Sequence, residues 1–210
     1  MIVIGITGSI GMGKTTASNM LREASIPVHD SDAAVHWLLG PKGKAVAEVG
    51  KFFPETLKTD AAGEPYIDRE ILGRSVFADR SRKKVLENIL HPLIRKDSDR
   101  FKAEMQKRGH RIVALDIPLL FEIGEEKRVD VTVCVTAPHE LQKERVLSRP
   151  GMTAEKFDRI VAGQLPDAEK RKRADYVVDS DKGFEAMRQQ LTQIVNALLA
   201  ERGPAQEHVT

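Results

Sequence analysis

The earliest chemical signal in the chain is Gly8-Ser-Ile-Gly-Met-Gly-Lys14-Thr15, a full match to the Walker spacing of glycines, lysine and hydroxyl residue. Glycines at these positions let the backbone turn its N–H groups inward around anionic oxygens, and a following helix adds its positive end. Lys14 has the reach and charge for β- and γ-phosphates, and the Thr15 hydroxyl suits a magnesium ligand. Gly8, Gly11, Met12, Gly13, Lys14, Thr15 and Thr16 are therefore the expected binding set for a nucleoside triphosphate. A chance match somewhere in 210 residues is on the order of 1%, which leaves little room for an incidental glycine-rich turn.

Other groups bear on what a transferred phosphoryl group would meet. Asp30-Ser-Asp32 follows a short apolar run, so Asp32 is expected beyond a strand end next to the first strand, facing the γ-phosphate. A carboxylate there can orient an acceptor hydroxyl for in-line attack. With an ordinary pKa near 3.9 it is a weak base, and positioning is its larger contribution. The competing reading is that Asp30 or Ser31 caps a helix and Asp32 favours its first turn. His91-Pro-Leu-Ile-Arg95 puts a histidine and an arginine one turn apart, with Pro92 in the first turn of a helix. The pair either holds a phosphate of the acceptor, Arg95 bidentately, or is a surface cap with a solvated arginine.

Asp116-Ile-Pro-Leu-Leu-Phe-Glu122 stands directly after a buried run. Asp116 occupies a position from which a carboxylate can hold magnesium through water. Pro118, Leu119 and Leu120, with Phe121, either line an acceptor pocket or belong to the core. Arg145 and Arg149 are four apart and are expected on one helix face. There they either neutralise phosphate charge in the transition state or are plain exposed charges.

Four apolar runs must position these groups: Ile2–Ile6, Arg111–Leu115, Val131–Val135 and Tyr176–Val178, with a shorter fifth at Ile26–His29. Continuous hydrophobicity suits parallel strands covered on both faces. Thr16 to Ala24 leads out of the phosphate loop as a helix. Phe184 to Leu199 carries apolar residues at Phe184, Met187, Leu191, Ile194, Val195 and Leu198, one stripe for packing on a sheet. Alternating strands and helices imply a doubly wound α/β fold with ligands beyond the carboxyl ends of the strands.

Two intervals are expected to lack strands. Ser31 to His110 reads as helices broken at Pro41, Pro54, Gly63, Pro65 and Pro92. His139 to Arg173 is highly charged and broken at Pro150-Gly151 and Pro166, the pattern of a helical lid or an exposed helix pair. The expected organisation is a nucleotide-binding core from 1–30, 111–138 and 174–203, a helical acceptor-binding region at 31–110, a lid at 139–173 and a flexible tail at 204–210.

Composition narrows the function classes. Hydrophobic residues make up 41% and charged residues 30%, ordinary globular usage that can supply a core. The formal net charge of +2 gives no whole-molecule case for nucleic acid. Thirteen Lys or Arg against six Asp or Glu between Arg69 and Arg111 could face a multiply phosphorylated ligand or simply a solvated helix side. The single cysteine, Cys134, excludes an intramolecular disulfide and sits in an apolar run as a buried, inert thiol. No run of about 18 apolar residues offers a membrane span, and the first residues lack a leader pattern, so a cytoplasmic location is expected.

Together these motifs resemble the dephospho-coenzyme A kinase family. The resemblance rests on 8–15, 30–32, 91–95 and 116–122, and continues through Arg145–Arg149, Gln164 and Ala174-Asp-Tyr-Val-Val-Asp179. It implies transfer of the terminal phosphoryl group of ATP, with magnesium, to the ribose 3′-hydroxyl of dephospho-CoA. It also implies a P-loop nucleotide-kinase core with a five-stranded parallel sheet, a helical CoA-binding region and a helical lid. Asp32 falls at the family's base, Arg145 or Arg149 at its lid arginine, and Lys14 at its phosphate-binding lysine. Ser180 replaces an asparagine common in relatives near the adenine end. The alternatives are another small-molecule or nucleoside monophosphate kinase, and a nucleotide-binding regulatory module without turnover.

Overall fold

Ile2–Thr7 is buried at all six positions, so its side chains must be covered on both faces, and this is the centre of the sheet. In the computed structural model, which describes residues 1–77 and 79–201, this strand (β1) is joined by β2 (Val28–Asp30), β5 (Ile112–Asp116), β6 (Val131–Thr136) and β7 (Tyr176–Asp179). The order is β2-β5-β1-β6-β7, and β1 pairs in parallel with β5 and β6, as β6 does with β7. This is the α/β, P-loop type of sheet that the apolar runs imply. The strand leading to Asp30 is not the neighbour of β1, contrary to expectation, because β5 intervenes.

Two helices cover one face of this sheet. Helix α1 (Lys14–Glu23) contributes Ala17, Met20 and Leu21, and α9 (Gly183–Glu201) contributes Met187, Leu191, Ile194 and Leu198 to one apolar cluster with the strands. Burial of each larger side chain contributes about 1.5–3 kcal/mol. The stripe on α9 begins one turn later than its spacing suggests: Phe184 is 73% exposed in the first turn, where the helix has not yet returned over the sheet. The charged interval forms three helices, not a pair: α6 (His139–Leu147), α7 (Ala154–Ala162) and α8 (Asp167–Arg173). Pro150-Gly151 and Pro166 separate them, as a residue without an amide hydrogen and a glycine at φ 73° should.

The chain divides into two compact units, Met1–His29 with Glu104 onward, and Asp30–Ala103. The second has its own core of Leu39, Val46, Val49, Phe53, Ile67, Leu72 and Leu90. Its helices are α2 (Ser31–Leu39), α3 (Val46–Phe52), α4 (Arg69–Phe77) and most of α5 (Arg80–Lys107). It also holds an antiparallel hairpin, β3 (Leu57–Thr59) and β4 (Pro65–Ile67), in an interval expected to carry no strand. All three β3 residues are exposed, so no apolar alternation marks it. The second departure is α5, which runs through Pro92 for 28 residues. One lost backbone hydrogen bond is offset by Leu90 in the core and by Val85, Leu86, Ile89, Leu93 and Ile94 packed on it. The tail expected at 204–210 lies outside the described residues.

Candidate active site

The phosphate loop connects β1 to α1, so the most protected strand in the sheet carries it. Two of its glycines are dictated by geometry. A Cβ at Gly8 would stand 2.6 Å from the Val135 carbonyl oxygen, since the loop leaves β1 against β6. Gly11 has φ 77°, and a Cβ there would meet Val146 Cγ2 at 2.5 Å and the Gln142 carbonyl at 2.9 Å. Gly13 is the N-cap of α1, followed by Lys14 and Thr15 in its first turn, with Thr15 exposed and Thr16 half-buried. Met12 is buried; its sulfur receives the Ala137 amide at 3.1 Å and its carbonyl accepts the Ser180 hydroxyl at 2.8 Å.

Asp116 ends β5 in register with Ile6 and is 3% exposed. One of its oxygens takes an ion pair from Lys14 and the other accepts the Ser18 hydroxyl at 2.6 Å. The two groups expected to face phosphate and magnesium thus meet directly. Just beyond, Pro118 and Leu119 are half-buried, whereas Leu120 and Phe121 are core. The Pro118 carbonyl accepts the Thr7 hydroxyl at 3.0 Å, which ties the segment to the residue before the loop.

Helix α6 closes on the loop from another side. Gln142 Nε2 donates to the Ile10 carbonyl at 2.8 Å, and Gln164 Oε1 accepts the Ile10 amide at 3.1 Å. Arg145 Nη1 donates to Ser180 Oγ at 2.7 Å and to the Gly11 carbonyl at 3.4 Å, and Nη2 to the Ser180 carbonyl at 2.8 Å. Arg149 does not share that helix face. Helix α6 stops at Leu147, since Pro150 disfavours helical backbone at the residue before it, and Arg149 is exposed in the turn. Gln142 and Ser180 were not singled out as loop contacts by sequence reasoning. A glutamine on a charged helix carries no local signal, and the contacts exist only through the fold.

In the other unit, Asp30 closes β2 and caps α2, its side chain accepting the Ala33 amide at 2.9 Å. The cap is therefore Asp30, which leaves Asp32 exposed in the first turn. His91 and Arg95 are four apart on α5 and share a side of it, His91 half-buried and Arg95 exposed.

Cys134, paired in register with Thr7, is the buried thiol expected. Burial is the main reason its pKa is raised from 9.0 to about 12, with the Asp167 carboxylate adding to the effect. No group of three or more His, Cys, Asp or Glu side chains able to hold a metal occurs among the described residues. No described helix is long and apolar enough to cross a membrane.

Known proteins agree with this arrangement over nearly its whole length. The profile of the dephospho-CoA kinase family matches residues 2–186. A dephospho-CoA kinase of Mesorhizobium japonicum is 49% identical, over 97% of this chain and 100% of that protein. One of Brucella melitensis is 47% identical, over 94% of this chain and 96% of that protein. The solved dephospho-CoA kinase of Campylobacter jejuni superposes with a TM-score of 0.70 at 25% identity, covering 96% of this chain and 98% of that one. A chain built on this loop, this sheet order and this ordered set of motifs belongs to the dephospho-CoA kinase family.

Proposed function

We propose that the chain transfers the γ-phosphoryl group of ATP to the ribose 3′-hydroxyl of dephospho-CoA, giving coenzyme A and ADP in the last step of CoA synthesis. The observation that carries this reading is the Lys14–Asp116 pair at the mouth of the phosphate loop, in a chain of this family. In the nucleotide-bound enzyme, Lys14 turns to the β- and γ-phosphates, and the amides of the 8–13 loop and the start of α1 cradle their oxygens.

Magnesium fits the donors present. Thr15 offers an exposed hydroxyl and Asp116 a carboxylate, and an ion that keeps several waters and takes phosphate oxygens needs few protein ligands. When bound, it supplies charge neutralisation at the phosphates.

Asp32 orients the acceptor hydroxyl. His91 and Arg95 hold a phosphate of the acceptor, and Pro118 and Leu119 offer apolar surface to it; Leu120, fully buried, supports them from the core. Arg145 or Arg149 neutralises charge on the transferring group. On this reading residues 31–110 bind the acceptor and 139–173 act as a lid over the nucleotide, in a cytoplasmic enzyme. ADP release with ATP and magnesium, measured with and without dephospho-CoA, tests it. ADP formed in step with a product bearing a new 3′-phosphate is expected. Nucleotide binding without dephospho-CoA-dependent ADP release would sink the acceptor assignment.

A further inference from the structure

Lys170 is fully buried, a rare condition for a lysine and one that requires a partner. Its ammonium lies 2.8 Å from Glu122 Oε1 and 3.5 Å from the Pro118 carbonyl. The same Glu122 oxygen accepts the Leu165 amide at 2.8 Å. Asp167, one turn earlier on α8, accepts the Thr136 hydroxyl at 2.7 Å, so α8 is fastened to β6 at Asp167 and to the segment after β5 at Lys170. Desolvating such a pair offsets most of its attraction, and an apolar pair of equal size would hold a core at least as well. Stability alone is therefore a poor account of it.

What the pair does hold is a path to the nucleotide site. Leu165 follows Gln164, whose side-chain oxygen accepts the amide of Ile10 at the tip of the phosphate loop at 3.1 Å. Pro118, the second neighbour of Lys170, accepts the hydroxyl of Thr7, the residue that enters the loop, at 3.0 Å. Both the entry and the tip of the loop are thus one hydrogen bond from a segment that Lys170 and Glu122 fix. We propose that the buried Lys170–Glu122 pair is the positioning device of the phosphate loop, acting on its tip through Gln164 and on its entry through Pro118. The pair touches neither nucleotide nor acceptor. Its task is to keep the Ile10 amide engaged with Gln164 and the Thr7 hydroxyl with Pro118, so that the inward-facing amides of the loop are preorganised before phosphate arrives.

This inference rests on the kinase reading only for the choice of ligand, and its readout is binding rather than turnover. The experiment measures the affinity of the full chain for a non-hydrolysable ATP analogue with magnesium, together with exchange of the Ile10 amide in the free protein. The variants are Lys170→Met, Lys170→Met/Glu122→Met, Gln164→Ala, and the last two combined. Expected are a rise of about tenfold or more in Kd for Gln164→Ala and for each Lys170 variant, and Ile10 exchange faster by about the same factor. The combined variant should be weakened little beyond the Lys170→Met/Glu122→Met parent, because Gln164 lies on one of the two routes that the pair controls. The Lys170→Met/Glu122→Met variant leaves no lone buried charge, so the test survives if Lys170→Met alone does not fold. Affinity and Ile10 exchange within about twofold of the parent in that folded variant would overturn the proposal. Effects that multiply independently with Gln164→Ala would overturn the path through Gln164. Failure of the acceptor assignment would leave these readouts unchanged.

Discussion

Lys14, the first residue of α1, and Asp116, the last residue of β5 and 102 residues away in the chain, form an ion pair, and Ser18 donates to the same carboxylate. Lys14→Met is expected to lower turnover by on the order of 10²–10³, the scale for losing one preorganised donor to the transferring group. Asp116→Ala removes the shared acceptor of two groups and should also destabilise the fold by about 3 kcal/mol. Steady-state kinetics with thermal melts checks both. Full activity of either variant would remove the pair from the site.

Asp32 stands exposed in the first turn of α2, while the neighbouring Asp30 provides the cap. Asp32→Asn keeps size and hydrogen-bonding capacity but removes the charge proposed to orient the acceptor hydroxyl. Turnover should fall by on the order of 10²–10⁴ with ATP affinity nearly unchanged. An activity close to that of the parent would assign Asp32 to helix stabilisation alone.

Arg145 and Arg149, the two candidates for the lid arginine, separate in the same way. Arg145 is committed to Gly11 and Ser180, so Arg145→Ala should weaken nucleotide binding as well as turnover. Arg149, exposed in the turn after α6, is bound to neither, and Arg149→Ala should lower kcat with a smaller change in nucleotide affinity. Titrations and kinetics of each single variant decide which arginine acts; if neither lowers kcat, the interval is not a catalytic lid.

Cys134 gives a pH dependence of known sign. Its folded pKa of about 12 lies above the ordinary 9.0, so the folded state holds the proton more tightly. The stability this contributes is fully present below pH 9 and is lost as pH rises from about 9 towards about 12. Denaturation across that range should show a decline that Cys134→Ala flattens. A thiol reagent at pH 8 should label the parent only on unfolding; rapid labelling of the folded chain would contradict its burial.

Much of the fold and of the phosphate loop is legible in the sequence. β1, β5 and β6 are continuous apolar runs, and the glycine spacing at 8–13 has few other uses, so strand, loop and helix follow from local pattern. The hairpin at Leu57–Ile67 escaped because β3 is exposed throughout and leaves no alternation to read. Helix α5 escaped because Pro92 reads as a boundary, while the apolar residues that outweigh it make contacts distant in sequence. Lys170 lies in Glu-Lys-Arg-Lys-Arg at 169–173, where nothing separates a buried lysine from solvated neighbours. Such a residue is found only once the fold shows which side of α8 faces Glu122.

A Cβ at Gly11 would collide with Val146 and the Gln142 carbonyl, and it would do so with no nucleotide involved. Its identity is therefore enforced twice, by anion recognition and by the seating of α6. A descendant of this chain that had lost its lysine and all turnover would still be held to glycine at position 11 by its own folding. Persistence of that glycine in a divergent copy is thus poor testimony to a living enzyme.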